Sequence, residues 1–288
     1  MEMAAEKSAG ITGYSIKRIL RTFLVYVLLL AVVVLTVLPF VWMVSGSLKN
    51  QATIFQNTMN LIPSEPLWSN YSEVWNRVPF GQFYWNTIKV SVLSTAGSLI
   101  AASLAAYAFA KLSFPGRDKL FLLFLATMMI PGQAIMIPQF TILNGMNLVN
   151  THWALILLNL FNPYGVFLLR QFLIQLPNDL NESARIDGCS EFGIFMRIVM
   201  PLAKPAIVTL GVFSLLWSWN DFLQPLIYLS QERLFTIQLG IRYFQQLNGA
   251  NYPLIMAATT MSLIPIIVIY LFAQRYFIEG IAITGTKG

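Results

Sequence analysis

Six runs along the chain, 23–44, 85–110, 120–137, 153–173, 205–229 and 254–273, are apolar almost throughout, and the segments between them are not. A helix of about 20 apolar residues crosses a bilayer core of about 30 Å. In lipid every backbone polar group must be bonded within its own segment, so each run predicts a helix. The pattern as a whole predicts an all-α membrane protein with six transmembrane helices. The first run has no small-residue cleavage site and is too long for the apolar part of a signal peptide, so it is expected to stay in the mature chain.

The segments between the runs are not alike. The longest, 45–84, contains LIPSEPLWSNYSEVW, and two readings stand open for it. Its aromatic residues fit headgroup depth, or the segment is a small cap on which a partner rests. KLSFPGRDK, at 111–119, is a tight turn centred on Pro115 and Gly116. MMIPGQAIMIPQF, at 128–140, interrupts the third run with two prolines and a glycine, either as a gate hinge or as the end of a short helix.

The remaining segment, 177–202, is the polar island of the chain. Pro177 and Asn178 are helix-start residues, and Asp179 and Glu182 are spaced to support an N-terminal cap. Gly188 ends that helix at low cost by taking a left-handed conformation. Ser190 is a cap for a second helix, with Glu191 in its first turn, where the helix dipole favours an anion. Phe192, Phe195, Met196 and Val199 then form an apolar stripe, and Pro201 is expected to close the helix. The result is a helix–elbow–helix whose stripe packs under the bundle and whose Glu182, Arg185 and Asp187 point away from it. An interfacial helix lying on the membrane is the plainer reading. Such helices are rich in Lys and Arg on the polar face, however, and this one mixes signs.

Composition agrees with a bilayer as solvent: 57% of the 288 residues are hydrophobic and 10% charged, against roughly 45–50% and 25% in soluble domains. The net charge of +6 is a matter of topology. Lys7, Lys17, Arg18 and Arg21 precede the first run, and Lys111, Arg117 and Lys119 follow the second. Arg170, Arg185, Arg197 and Lys204 cluster around the fourth loop, and Arg275 and Lys287 follow the last run. The positive-inside rule then places both termini in the cytoplasm, and no nucleic-acid partner is required. Cys189 is the one cysteine, which leaves no internal disulfide and no thiolate metal cage. His152 is the one histidine, at the outer start of the fourth run, where a structural role is expected.

The 182–201 stretch resembles the motif of ABC-importer permeases: Glu-Ala-Ala, three residues, Gly, nine residues, Ile, one residue, Leu-Pro. Here it reads Glu182-Ser183-Ala184, Gly188, Ile198 and Met200-Pro201, with Ser183 and Met200 preserving the size class of the usual Ala and Leu. The six runs, the chain length, WSWNDF at 217–222 and the tail GIAITGTKG are similar to the maltose-type subgroup of carbohydrate importers, over nearly the whole chain. The resemblance implies the type I ABC importer permease fold in one domain, 1–288. Its parts would be a cytoplasmic N-terminus (1–22), an outer loop (45–84), a cytoplasmic coupling loop (177–202) and a cytoplasmic tail (276–288). It implies a second homologous permease, two ATPase subunits that carry ATP and Mg²⁺, an extracytoplasmic solute-binding protein, and a bacterial or archaeal inner or plasma membrane. By the same resemblance Glu182, Ser183, Ala184, Arg185, Asp187 and Gly188 form the ATPase-coupling set. Glu182 would face a basic ATPase residue, Ala184 would sit close to the ATPase surface, and the tail would reach toward the ATPase interface.

The ATP chemistry itself is not expected in this chain. GIAITGTK, at 280–287, spaces two glycines like a phosphate loop but has Thr and Lys reversed and no helix to follow. The chain is expected to be a non-catalytic subunit that binds no cofactor. Polar residues inside the runs are candidates for a solute path, because intramembrane polar groups are costly and face interiors or cavities. These are Asn159 and Asn162 in the fourth run and Ser218, Asn220, Asp221 and Gln224 in the fifth, with Trp217 and Trp219 as flat rings. On a continuous helix Ser218, Asp221 and Gln224 share a face. Polar groups beside aromatic rings suit a sugar, and the bland alternative is glue between helices. An importer of another polar solute, an ion-coupled secondary transporter and a membrane scaffold without a path are the competing readings.

Overall fold

The computed structural model describes residues 2–56, 60–247 and 251–285, with side chains over 17–56, 60–242 and 251–274. Among these residues there are helices, turns and no strand. In chain order the helices are α1 (Glu2–Ser47), α2 (Ser69–Arg77), α3 (Phe80–Lys111), α4 (Arg117–Ala126), α5 (Met136–Gly145), α6 (His152–Leu160) and α7 (Pro163–Gln175). There follow α8 (Asp179–Ile186), α9 (Glu191–Ile194), α10 (Met200–Leu202), α11 (Lys204–Asn220), α12 (Leu223–Tyr228), α13 (Ile237–Leu247) and α14 (Tyr252–Gly285). A π-turn, Phe195–Val199, joins α9 to α10.

Four stretches are long and apolar enough to cross a membrane unbroken: Lys17–Ser47, Phe80–Lys111, His152–Gln175 and Tyr252–Gln274. Two bent pairs, Arg117–Met129 with Gly132–Gly145 at 92° and Glu191–Leu202 with Lys204–Asn220 at 79°, bring the number to six when each is counted once. In the second pair α11 is the crossing limb, and the Glu191–Leu202 limb belongs to the polar island. The third run thus breaks where its prolines stand. Ile130 is extended, as a residue before proline is biased to be, and Pro131 follows with ψ 130.

The fifth run corrects the sequence reading. A continuous helix over 205–229 was expected, but α11 stops at Asn220 and Asp221 is extended, with φ −67 and ψ 122. The cause is Pro225, which lacks an N–H and whose ring would strike the carbonyl four residues earlier, that of Asp221.

The chain separates into two compact units, Met1–Glu73 with Asn251–Thr260, and Val74–Ala250 with Met261–Gly288. In the first, no residue in the apolar window of α1 is buried. The chain beyond α1 is tied by polar bonds. Asn70 Nδ2 donates to the carbonyls of Ser47 (2.7 Å) and Lys49 (3.1 Å), and Ser47 Oγ meets Tyr71 Oη at 2.7 Å. Lys49 Nζ donates to Asn60 O at 2.6 Å, and Phe55 packs edge-on against Tyr252 with 4.9 Å between ring centroids. The segment 45–73 is therefore a built element rather than a plain connection.

In the second unit α3 is the central helix, packed against α6, α7 and α11. Its buried side carries Ser91, Ser94, Ser98, Ala102 and Ala106, small residues that let membrane helices approach closely. Gly165 serves the same end on α7, where an added Cβ would lie 3.0 Å from Leu210 Cδ2. The core gathers Ala106, Tyr107, Phe121, Leu169, Leu173 and Leu210 from the bundle and Ala184, Ile194, Phe195 and Val199 from the polar island. The underside of the island is thus sealed into the bundle by apolar burial, the largest favourable term available to it.

Candidate functional site

The island forms a knob of two arms, α8 and the α9–α10 helix, joined at Gly188. Its elbow is a Schellman closure: Gly188 N–H donates to Arg185 O at 3.0 Å and Cys189 N–H to Ala184 O at 2.9 Å. Gly188 sits at φ +80, and no atom lies within 4 Å of where a Cβ would stand. Glycine is required there by torsion and not by space. Ser190 Oγ accepts from Gly193 N–H at 3.2 Å, the expected cap of the second arm. The first arm differs from expectation. Asn178 occupies the cap position without a side-chain cap bond, and its Oδ1 instead accepts from Lys111 Nζ at 2.8 Å.

The second arm also differs. Of its expected stripe, Phe195 and Val199 are buried, but Phe192 and Met196 are 65% and 49% exposed, and Ile194 takes their place inside. The π-turn puts an extra residue into one turn and shifts the phase on which the stripe was read. The arm's end falls at Leu202, one residue beyond Pro201, where the chain bends by 79°. Pro201 follows the π-turn in the last residues of the second arm, and Ala203 joins that arm to α11.

The coupling set divides into two groups. Glu182, Ser183, Asp187 and Gly188 are exposed. Ala184 is 6% exposed and packs in this chain's own core, not at an outer surface. Arg185 spans the elbow, with Nε 2.6 Å from Glu191 Oε1 and Nη2 3.3 Å from Oε2. Tyr107 Oη donates to the same carboxylate at 2.8 Å. The Arg185 guanidinium beside it holds the Glu191 carboxyl below its ordinary value, with the Tyr107 hydroxyl adding to the effect. Sequence reading missed the apolar residues on the open side of the knob. Ile186 is 87% exposed and Leu180 44%. With Phe192, Glu182, Arg185 and Asp187 also exposed, the knob presents apolar, acidic and basic side chains together.

The path candidates also divide. Asn159 Nδ2 donates to Gln224 Oε1 at 3.4 Å and to Leu155 O at 2.9 Å, and Asp221 Oδ1 accepts from Gln224 N–H at 3.2 Å. These three form one half-buried cluster. Asn162 is elsewhere. It caps α7 through Gly165 N–H at 2.8 Å and donates to Ser98 Oγ at 3.0 Å. Ser218 is buried, and Asn220 is exposed and bonded to Gln238 Nε2 at 3.3 Å. Ser218, Asp221 and Gln224 do not share a helix face, because the helix ends between them. The two tryptophans part as well: Trp217 is 75% exposed, while Trp219 is 2% exposed and donates to Ser262 O at 3.2 Å. Residues not singled out beforehand extend the polar surroundings, with the Arg242 guanidinium 5.1 Å over the Phe222 ring. His152 is buried, with Nε2 2.9 Å from Leu234 O, which accounts for it structurally.

Comparison with known proteins places this geometry. Residues 96–282 match the profile of the family described as binding-protein-dependent transport system inner membrane component. The arabinooligosaccharides transport system permease protein AraQ of Bacillus subtilis is 35% identical over 253 residues, covering 87% of this chain and 90% of that protein. The galactooligosaccharides permease GanQ of the same organism is 30% identical over 279 residues, covering 95% and 98%. The sn-glycerol-3-phosphate permease UgpE of Yersinia pestis is 33% identical over 265 residues, covering 89% and 94%. Among solved structures, a chain of a bacterial ABC transporter involved in import of the acidic polysaccharide alginate superposes with TM-score 0.79. It is 26% identical and covers 87% of this chain and 94% of that one. With its apolar crossings, its knob and these relatives, the chain belongs to the family of inner membrane components of binding-protein-dependent transport systems.

Proposed function

We propose that the chain is a permease subunit of an ATP-driven importer for a sugar or oligosaccharide. It works in a bacterial inner or plasma membrane beside a second, homologous permease, two ATPase subunits and an extracytoplasmic solute-binding protein. The observation that carries the reading is the knob: exposed apolar and mixed-charge side chains on a glycine elbow whose underside is packed into the bundle. The knob docks on an ATPase subunit, which holds the ATP and Mg²⁺. Closure of the ATPases moves the knob and opens the path on the opposite face, and nucleotide release reverses it. Both termini lie on the knob's side of the membrane, as the distribution of Lys and Arg supports. The expected single permease domain over 1–288 is kept, with 276–288 as its tail on that side.

The oligosaccharide class is supported by the relatives named for arabino- and galactooligosaccharides, and by Asn159, Asp221 and Gln224 as exchangeable hydroxyl partners. A polyol phosphate is the second reading, favoured by the relative named for sn-glycerol 3-phosphate at comparable identity. Uptake into proteoliposomes holding the assembled importer and loaded binding protein tests the proposal. Accumulation of a labelled oligosaccharide that needs internal ATP and survives collapse of ion gradients is expected. Uptake that follows the gradient without ATP would overturn it.

A further inference from the structure

The knob is tied to α3 at two places that docking alone does not require. Tyr107 and Lys111 stand four residues apart, so they project from one face of the last turns of α3. Tyr107 donates to Glu191 at the start of the second arm. Lys111 Nζ donates to Leu176 O at 2.7 Å and to Asn178 Oδ1 at 2.8 Å, where the chain passes from α7 into the first arm. Arg185 joins the first arm to the same Glu191 carboxylate. One helix end therefore holds both arms.

The other end of α3 is tied just as specifically. Asn86 Nδ2 donates to the carbonyls of Arg233 (2.9 Å) and Phe235 (3.0 Å). Thr87 Oγ1 accepts from Ile237 N–H at 2.8 Å. These bonds fix the segment 233–237 that leads into α13. α3 is an unbroken 32-residue helix without proline, and from Thr87 to Tyr107, between the two sets of ties, it spans about 30 Å at 1.5 Å per residue. Of the two covalent routes, α7 enters the first arm from the His152–Gln175 span and is itself packed on α3, while the route out of the second arm is less direct. It bends by 79° into α11, and α11 ends at Asn220.

We propose that α3 is the connecting rod of the transport cycle, gripping the knob through Tyr107 and Lys111 and carrying its displacement to the 233–237 segment. Tyr107, Lys111 and Thr87 are positioning residues, acting through the elements they hold. The proposal rests on the docking role of the knob given above. Energetic coupling between distant sites can be carried by a rigid secondary element bonded at both ends, and α3 with its two sets of ties is such an element.

The test uses the assembled importer with cysteine-free partner subunits, so that Cys189, exposed at the elbow, is the sole thiol. A crosslink from Cys189 to the ATPase subunit reports docking. ATP hydrolysis with and without loaded binding protein, and solute uptake, report coupling. In Tyr107→Phe and Lys111→Met the crosslink and basal hydrolysis are expected to persist. Stimulation and uptake fall at least about tenfold in each, since Tyr107→Phe removes one hydrogen bond to a charged group and Lys111→Met removes two made by one, and further in the double variant. Thr87→Val, at the far end of the rod, gives the same pattern with the knob untouched, which a local brace of the knob does not predict. Wild-type stimulation and uptake in the double variant, or in Thr87→Val, would overturn the rod. Loss of the crosslink in Tyr107→Phe would reduce that residue to a brace for docking and overturn it too. Absence of the crosslink in the wild-type complex would remove the docking reading itself, and the rod with it.

Discussion

The knob and the Asn159–Asp221–Gln224 cluster are both polar islands in an apolar chain, and they hold their polar atoms in opposite ways. In the knob the bonds converge on one carboxylate: 2.6 Å and 3.3 Å from Arg185 to Glu191 and 2.8 Å from Tyr107 to Glu191. In the cluster the bonds that join its members are longer, 3.2 Å from Gln224 N–H to the Asp221 carboxylate and 3.4 Å from Asn159 to Gln224, beside a 2.9 Å bond from Asn159 to Leu155 O within α6. Arg185 and Glu191 are both ionised whereas Asn159 and Gln224 are both neutral, and charge-assisted bonds are about twice as strong as neutral ones. A long bond between half-buried groups is given up at little cost when a solute hydroxyl offers a replacement. One island is thus built to keep its shape while something pushes on it. The other is built to exchange partners, which is what a path requires.

The largest expected effect lies at the elbow. Gly188→Val forces a β-branched residue to φ +80, against about 1–2 kcal/mol for any L-residue in that region. The arms then reorient, and stimulation of ATP hydrolysis by loaded binding protein falls to the unstimulated rate. Gly188→Asn, a residue that tolerates the conformation, retains most of it. Equal stimulation in Val and Asn variants would show that the elbow torsion is not used. Next in size is Glu182→Ala on the open face of α8. Retention of the ATPase subunits on affinity purification is expected to drop about tenfold, as when one partner of an interfacial charge pair is removed. Unchanged retention with unchanged uptake would remove Glu182 from the contact.

The cluster gives a smaller and more selective effect. Asp221→Asn keeps an oxygen for the Gln224 N–H bond and removes only the charge, whereas Asp221→Leu removes both. If the carboxylate meets solute, Asn lowers uptake about tenfold with hydrolysis still stimulated, the range expected for one bond to a charged group. If Asp221 serves only the turn before α12, Asn behaves as wild type and Leu alone fails. Uptake as a function of solute concentration separates the two outcomes.

The two islands were also unequally legible. The elbow is written in residues within a few positions of one another, because Gly188, Ser190 and Glu191 act through local backbone geometry. What the knob grips is not written there. Lys111 and Asn178 are 67 residues apart, and only the approach of α3 to the α7–α8 junction makes Lys111 a better partner for Asn178 than the end of its own helix. The stripe on the second arm was half right, because an α-helical period does not carry through a π-turn. In the fifth run the deciding residue was in plain view. Pro225 ends the helix at Asn220, and a period read across it put Ser218, Asp221 and Gln224 on a face that does not exist. The six crossings were legible since hydropathy over about 20 residues needs no tertiary information. The bends of 92° and 79° were legible only as breaks without angles.

The smallest expected effect tests whether the knob's charged bonds hold its shape. The Glu191 carboxyl titrates below its ordinary value of 4.5 because Arg185 and Tyr107 favour its charged form. A carboxyl lowered in the folded protein contributes fully above its unfolded value, and the contribution is lost as pH falls through the folded one. The tie across the elbow is therefore whole from neutral pH down to about 4.5 and fails only below that. Both partners are well exposed, 40% for Arg185 and 46% for Glu191. Surface pairs of this kind are worth about 0–1 kcal/mol, so the change in population is below about fivefold and global unfolding is not expected. A spin label on Cys189, next to Gly188, reads it directly. Wild-type mobility stays flat from pH 7 to 5 and rises below 4.5, while Glu191→Gln is more mobile throughout and flat. A midpoint near pH 6, or a pH-dependent rise that survives in Glu191→Gln, would assign the elbow's stiffness to something other than this carboxylate.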